Sequence, residues 1–156
     1  MDATTEAATV ERTISIAASP ETVWEFLVDG RKATRWMGTN TTIEPRPGGT
    51  YRCEVLPGHT AEGKVVELDP PHRLVFTFGW STGDAEGNPV PPGSSTIEID
   101  LIPEGTGTRL HFLHRDLPNA AAVESHGHGW DHYLARLEIA AGGGDPGADP
   151  WLTEGM

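Results

Sequence analysis

Residues 120–141 read AAAVESHGHGWDHYLARLEIAA, and this stretch decides the fold. It is the one long helical pattern in the chain. At about 100° per residue, Val123, Gly127, Trp130, Leu134, Leu137 and Ala141 fall on one narrow stripe. His126 and Tyr133 stand on a border of that stripe, whereas His128 and His132 point the opposite way. A helix with a single apolar stripe must lay it against another element. The rest of the chain therefore has to supply a surface.

Upstream of the helix the period is two. Thr108–His114 sets Leu110, Phe112 and His114 against Arg109, His111 and Leu113, and Ser95–Ile102 sets Ile97, Ile99 and Leu101 against Glu98 and Asp100. Arg73–Trp80 carries Leu74, Phe76, Phe78 and Trp80 on one face. Thr50–Leu56 alternates Tyr51, Cys53 and Val55 with Thr50, Arg52 and Glu54. Thr39–Glu44, Ala61–Leu68 and Val10–Ala17 read as strands as well. Pro45–Gly49, Pro57-Gly58-His59, Asp69-Pro70-Pro71 and Pro103–Gly107 are turn sequences. After the first strand, Ser19 is a good N-cap, Pro20 suits a first turn, and Val23, Trp24, Phe26 and Leu27 give a short helix its apolar face. Asp29-Gly30 ends it, and a second short helix is expected from Arg31 to Trp36. The stretch Ser81–Gly93, STGDAEGNPVPPG, is long for a turn-rich connection and reads as a candidate lid.

The order is one strand, two short helices, a run of strands joined by tight turns, and one long helix. Tight turns make neighbouring strands antiparallel. This predicts an α+β protein of helix-grip type, in which a curved antiparallel sheet of about six to seven strands wraps around the long C-terminal helix. Space between sheet and helix is the expected ligand site. Residues 1–9 are expected to be disordered, 10–141 to form one domain, and 142–156 to be a Gly/Pro-rich tail.

Charge and cysteine content narrow the function classes. Eleven Lys and Arg against 23 Asp and Glu give a net charge of −12, which argues against nucleic acid and against an anionic membrane surface. The single cysteine, Cys53, excludes an internal disulfide and fits a reducing cytoplasm. The N-terminal residues show no signal-peptide pattern, and no apolar run approaches the ~20 residues of a membrane span. A cytoplasmic protein is expected.

Several segments carry a resemblance to a known family. They are Ala18–Trp24, Arg35-Trp36-Met37-Gly38, Pro47-Gly48-Gly49, Asp69–Phe78, His114–Pro118, and Gly129-Trp130 through Leu137. In this order they resemble the START/Bet v 1-like (SRPBCC) superfamily, and within it the bacterial branch related to the C-terminal domain of the Hsp90 ATPase activator. The resemblance covers about residues 10 to 151. It implies a hydrophobic cavity between sheet and helix, small-molecule binding, and homodimers in many relatives. Superfamily members include lipid carriers, hormone receptors, polyketide cyclases and oxygenase subunits, so it implies no single reaction. The eukaryotic activator works with an additional N-terminal domain that this chain has no room for, which argues against chaperone activation.

Among residues that carry chemistry, His126, His128 and His132 first suggest a metal site. His126 lies about 160° from His128 on a regular helix, so the three cannot meet one ion. His128 and His132 are read as a solvated pair, and Glu124, Asp131 and Glu138 as a solvated flank that helps Arg136 by local pairing. No nucleophile motif, phosphate cradle, metal or cofactor is indicated. The cavity candidates are Tyr51, Phe78, Trp80, Phe112, His114, His126, Trp130 and Tyr133, since their strands or helix faces frame the space under the helix. His114 and His126 are the two that can hydrogen-bond a ligand or act as acid or base. The leading expectation is a protein that binds a small apolar or amphipathic molecule. A cyclase, dehydratase or hydrolase using the same cavity is the second, and a chaperone-interacting module the third.

Overall fold

A computed structural model describes residues 8–81 and 90–154. Most of the expected N-terminal disorder and most of the expected lid in Ser81–Gly93 lie outside the described residues. Seven strands form one antiparallel sheet: β1 (Val10–Ile16), β2 (Asn40–Ile43), β3 (Thr50–Leu56), β4 (His59–Asp69), β5 (Arg73–Trp80), β6 (Ser95–Glu104) and β7 (Gly107–Arg115). Their order is β1-β7-β6-β5-β4-β3-β2, so β2 to β7 run as a meander and β1 closes the far edge beside β7. Two short helices, α1 (Pro20–Val28) and α2 (Gly30–Ala33), follow β1. The long helix α3 (Ala120–Ala141) comes after β7, and a one-turn helix α4 (Trp151–Glu154) ends the described chain. Among the described residues no helix is long and apolar enough to cross a membrane.

The strand periodicity becomes the inner face of the sheet. Tyr51, Cys53 and Val55 of β3, Leu74, Phe76 and Phe78 of β5, Ile97, Ile99 and Leu101 of β6, and Leu110, Phe112 and His114 of β7 are all buried. The outer face is charged, with Arg73 bridging Glu67, Glu98 and Asp100, and Arg115 sharing Glu98. The register shifts between Glu54 and Leu56 and between Val65 and Glu67. Such irregularities bend strands and increase twist, which curls the sheet around α3. Gly63 sits in the same region, where an added Cβ would stand 1.7 Å from Thr77 O. Only a residue without a side chain lets β4 and β5 cross there.

Helix ends follow the sequence signals closely. The Ser19 hydroxyl accepts from Thr22 N–H at 3.2 Å, and Pro20 occupies the first turn of α1. Asp29 caps α2 through Arg31 N–H at 2.9 Å. That helix ends at Ala33 rather than Trp36, because Trp36 and Met37 are drawn into the core and the Trp36 indole donates to Phe26 O at 2.9 Å. On α3 the expected stripe is the one that packs, with Gly127, Trp130, Leu134, Leu137 and Ala141 buried, and Tyr133 with them. Gly127 faces β1, where a Cβ would stand 3.1 Å from the tip of the Arg12 side chain.

Candidate functional site

Under the stripe of α3 lies a cavity of about 30 Å³. Its walls come from α1 (Leu27), the segment after α2 (Trp36, Met37), β2 and β3 (Thr41, Tyr51), the inner faces of β5, β6 and β7, and α3 itself (Trp130, Leu134, Leu137). The lining is apolar except for Thr41 and Tyr51. That volume has room for about one water molecule, while small-molecule pockets measure roughly 300–1,000 Å³.

Beside the cavity, Phe78 is the centre of an aromatic cluster. Its ring lies 5.2 Å from His114, 5.6 Å from Trp80, 5.9 Å from Trp130 and 6.3 Å from both Tyr51 and His126. His114 and His126 face each other edge-on at 5.3 Å. These rings fill the N-terminal half of the space beneath α3.

The hydrogen bonds fix the state of both histidines. His114 is fully buried. The Trp130 indole N–H, which can only donate, points at His114 Nδ1 at 3.0 Å. Nδ1 is therefore the acceptor, and Nε2 carries the proton and donates to Ser95 Oγ at 2.8 Å. The Ser95 hydroxyl in turn donates to Phe78 O at 2.7 Å. Burial first, and the neighbouring His126 second, push the His114 pKa down to about 3. At His126 the tautomer is reversed. The Trp80 indole donates to Nε2 at 3.1 Å, and Nδ1–H donates to Ala122 O at 2.8 Å. Burial lowers this pKa too.

Each imidazole thus has its lone pair covered by a tryptophan N–H. A general base needs that lone pair for the substrate proton. Ser95, although 2.8 Å from a histidine, accepts a hydrogen bond from it rather than donating one to it. As arranged here, the two histidines hold Trp80 and Trp130 in place and stay neutral.

Of the two outer histidines only His132 departs from expectation. It is partly covered: Trp151 stacks on it at 3.6 Å with 10° between the planes, and its Nε2–H donates to Asp149 Oδ1 at 2.9 Å. His128 is exposed, with its ring 5.3 Å from Trp151. Arg136 does not pair along the helix flank. It donates to Trp36 O at 3.2 Å and to Gly147 O at 3.0 Å, while Asp131 binds Arg12 of β1 at 2.6 Å. The tail thus packs across α3 through Asp149 and Trp151.

The eight cavity candidates divide by position. Tyr51, Phe112 and Trp130 line the cavity. Phe78, Trp80, His114 and His126 make the adjoining cluster, and Tyr133 lies under Trp151, with ring centroids 5.5 Å apart. Sequence reasoning did not select Trp36 and Met37 as wall residues, placed Arg136 beside a solvated flank, and passed over Asp149 altogether. The pair Trp36-Met37 directly after a short helix was the available signal, since two large apolar residues in a connection need somewhere to bury.

The family model described as "Activator of Hsp90 ATPase homolog 1-like protein" matches residues 17–142. No curated protein matches the chain. A solution structure of an AHSA1-like protein from Rhizobium etli is 44% identical, with a TM-score of 0.72 over 92% of this chain and 87% of that one. DynU16, a protein in the dynemicin biosynthetic locus, is 22% identical with a TM-score of 0.75 over 89% of this chain and 49% of its own. The Aha1 dimer from Colwellia psychrerythraea is 20% identical, with a TM-score of 0.70 over 87% and 98% of the two chains. The last two show likeness of fold alone.

Proposed function

Since the chain belongs to the activator of Hsp90 ATPase homolog 1-like family, we propose that it binds a small apolar or amphipathic molecule between the sheet and α3. The observation that carries this reading is the apolar cavity at that interface, walled by residues of α1, α3 and strands from β2 to β7. At about 30 Å³ it is a closed form, so a ligand enters by moving a wall. The segment holding Trp36 and Met37 is one such wall, anchored by the Trp36 indole on Phe26 O and by Arg136 on Trp36 O. The place of DynU16 in a biosynthetic locus favours a small-molecule ligand over a protein partner. The Colwellia relative supports a homodimer for this chain as well.

Ligand binding to the folded state raises stability by RT ln(1 + [L]/Kd), about 2.7 kcal/mol at a hundredfold excess over Kd. A thermal-shift screen of apolar and amphipathic compounds should therefore give clear stabilisation for some of them. The response should weaken in Ala33→Val, which adds bulk to the cavity wall. Absence of any stabilisation across such a library counts against the reading. An enzymatic role for His114 or His126 would require Trp130 or Trp80 to swing away first, and nothing in the geometry favours that.

A further inference from the structure

Thr41 stands between two spaces. β2 is an edge strand, paired only with β3, and Thr41 lies opposite Cys53 on its inner side. Cys53 is fully buried, whereas Thr41 is half-buried. Thr41 Oγ1 is 3.5 Å from Cys53 Sγ, and the residue lines the apolar cavity under α3. It also lines an open cleft of about 330 Å³ on the surface between α2 and β2. The short helix α2 divides the same two spaces. Ala33 lines the cavity, while Gly30, Arg31 and, just after the helix, Thr34 line the cleft. The two elements meet closely, since a Cβ added to Gly30 would stand 2.3 Å from Thr41 O. One turn of helix and one threonine are thus what separates the cavity from the cleft. The cleft differs from the cavity in chemistry, with Thr34, Thr39 and Asn40 supplying hydroxyl and amide groups. Asp29 and Arg31 add one charge of each sign, and the Asp29 carboxylate is already engaged with the Arg31 and Lys32 N–H groups.

We infer that cleft and cavity are two parts of one site, joined past Thr41 when the seam between α2 and β2 parts, and that the ligand is an uncharged amphiphile. Its hydrogen-bonding head lies in the cleft and its slim apolar chain enters the cavity. The inference rests on the ligand-binding reading above. Because α2 runs directly into Trp36, a shift of the Trp36-Met37 wall parts the same seam. Asp29 and Arg31 offset each other, so neither ion gains at the cleft, and the net charge of −12 works against an anion. The test is a titration of the full chain, followed by amide and methyl NMR, with 1-monooctanoylglycerol, octanoate and octylammonium, which share one chain length. The uncharged probe should bind about fivefold tighter than either ion, roughly the gain of one hydrogen bond. With a single Kd it should move the amides of Gly30, Thr34 and Asn40 in the cleft, and the Trp130 indole and Leu137 methyls in the cavity. Thr41→Met plugs the passage and should weaken binding about tenfold, as overpacking does, whereas Thr41→Val keeps its width and should stay within about twofold. Should Thr41→Met fail to fold, the wild-type shift pattern decides alone. Movement of cavity signals without cleft signals, or unchanged affinity in a folded Thr41→Met, overturns the joined site and leaves the cavity reading intact. Equal or tighter binding of either ion overturns the uncharged head. Movement of cleft signals alone, or failure of all three probes to bind, overturns the joined site and the cavity reading with it.

Discussion

Burial of His114 among Phe78, Trp130 and Ser95 makes its charge a property of the fold. Its pKa falls from an ordinary value of 6.5 to about 3. The folded value lies below the unfolded one, so the unfolded chain binds more protons in that window. The neutral histidine's contribution is complete above pH 6.5 and is lost as pH falls from 6.5 toward 3. At about 1.36 kcal/mol per unit, one such group removes about 2 kcal/mol by pH 5. His126 acts in the same direction. His114→Gln keeps an acceptor for Trp130 and a donor for Ser95. Urea unfolding at pH 7 and pH 5 should show a drop smaller by about that amount in the variant, and equal drops would reject the assignment. The alternation of Leu110, Phe112 and His114 already placed this side chain inward. Its tautomer was not legible, because it depends on an indole 16 residues away on another element.

At the scale of elements, α3 is where sequence reading succeeded most and also missed most. Its inner stripe follows from helical geometry alone. Its N-terminus is held by Asn119, whose side chain accepts from Ala122 N–H at 2.8 Å. Asn119→Ala should lower unfolding free energy by about 1 kcal/mol in urea titration. The sequence alone reads its outer face as solvated, because the tail has no period from which packing can be inferred. In the fold, Asp149 and Trp151 cover His132 and reach Tyr133. Trp151→Ala should shift the His132 ring proton resonances downfield as the stacked indole's ring current is lost. Unchanged resonances would mean that the tail does not rest on α3 in solution. The charged flank illustrates the same limit, since Asp131 pairs with Arg12, which is 119 positions away in the chain.

For the whole molecule, the net charge of −12 spreads over a small surface. The cations are largely engaged locally, as in the Arg73 and Arg115 network on the outer sheet face. The remaining negative charge repels itself and opposes compactness. Raising salt from about 10 mM to 300 mM shortens the screening length several-fold, and melting temperature should rise. A fall would show that the outer ion pairs outweigh the net repulsion. Global shape also sets the size of the binding space. The bends near Glu54–Leu56 and Val65–Glu67, with Gly63 between them, curl β3 and β4 toward α3 and leave only about 30 Å³.

The sequence by itself determined the element order, the antiparallel meander, the inward side of nearly every strand and the gripping stripe of α3. These rest on periods of 2 and 3.6 and on turn and cap residues, which are local properties of the chain. Tertiary structure decided which inward residues meet. It set the opposite tautomers of His114 and His126, brought Asp149 to His132 and Arg136, and fixed the cavity volume. Each of these depends on contacts between residues distant in the chain, and on the curvature that brings them together. The His-rich stretch of α3 that resembled a metal signature is resolved in the same way. His126 turns under the helix to Trp80 while His132 turns out to the tail.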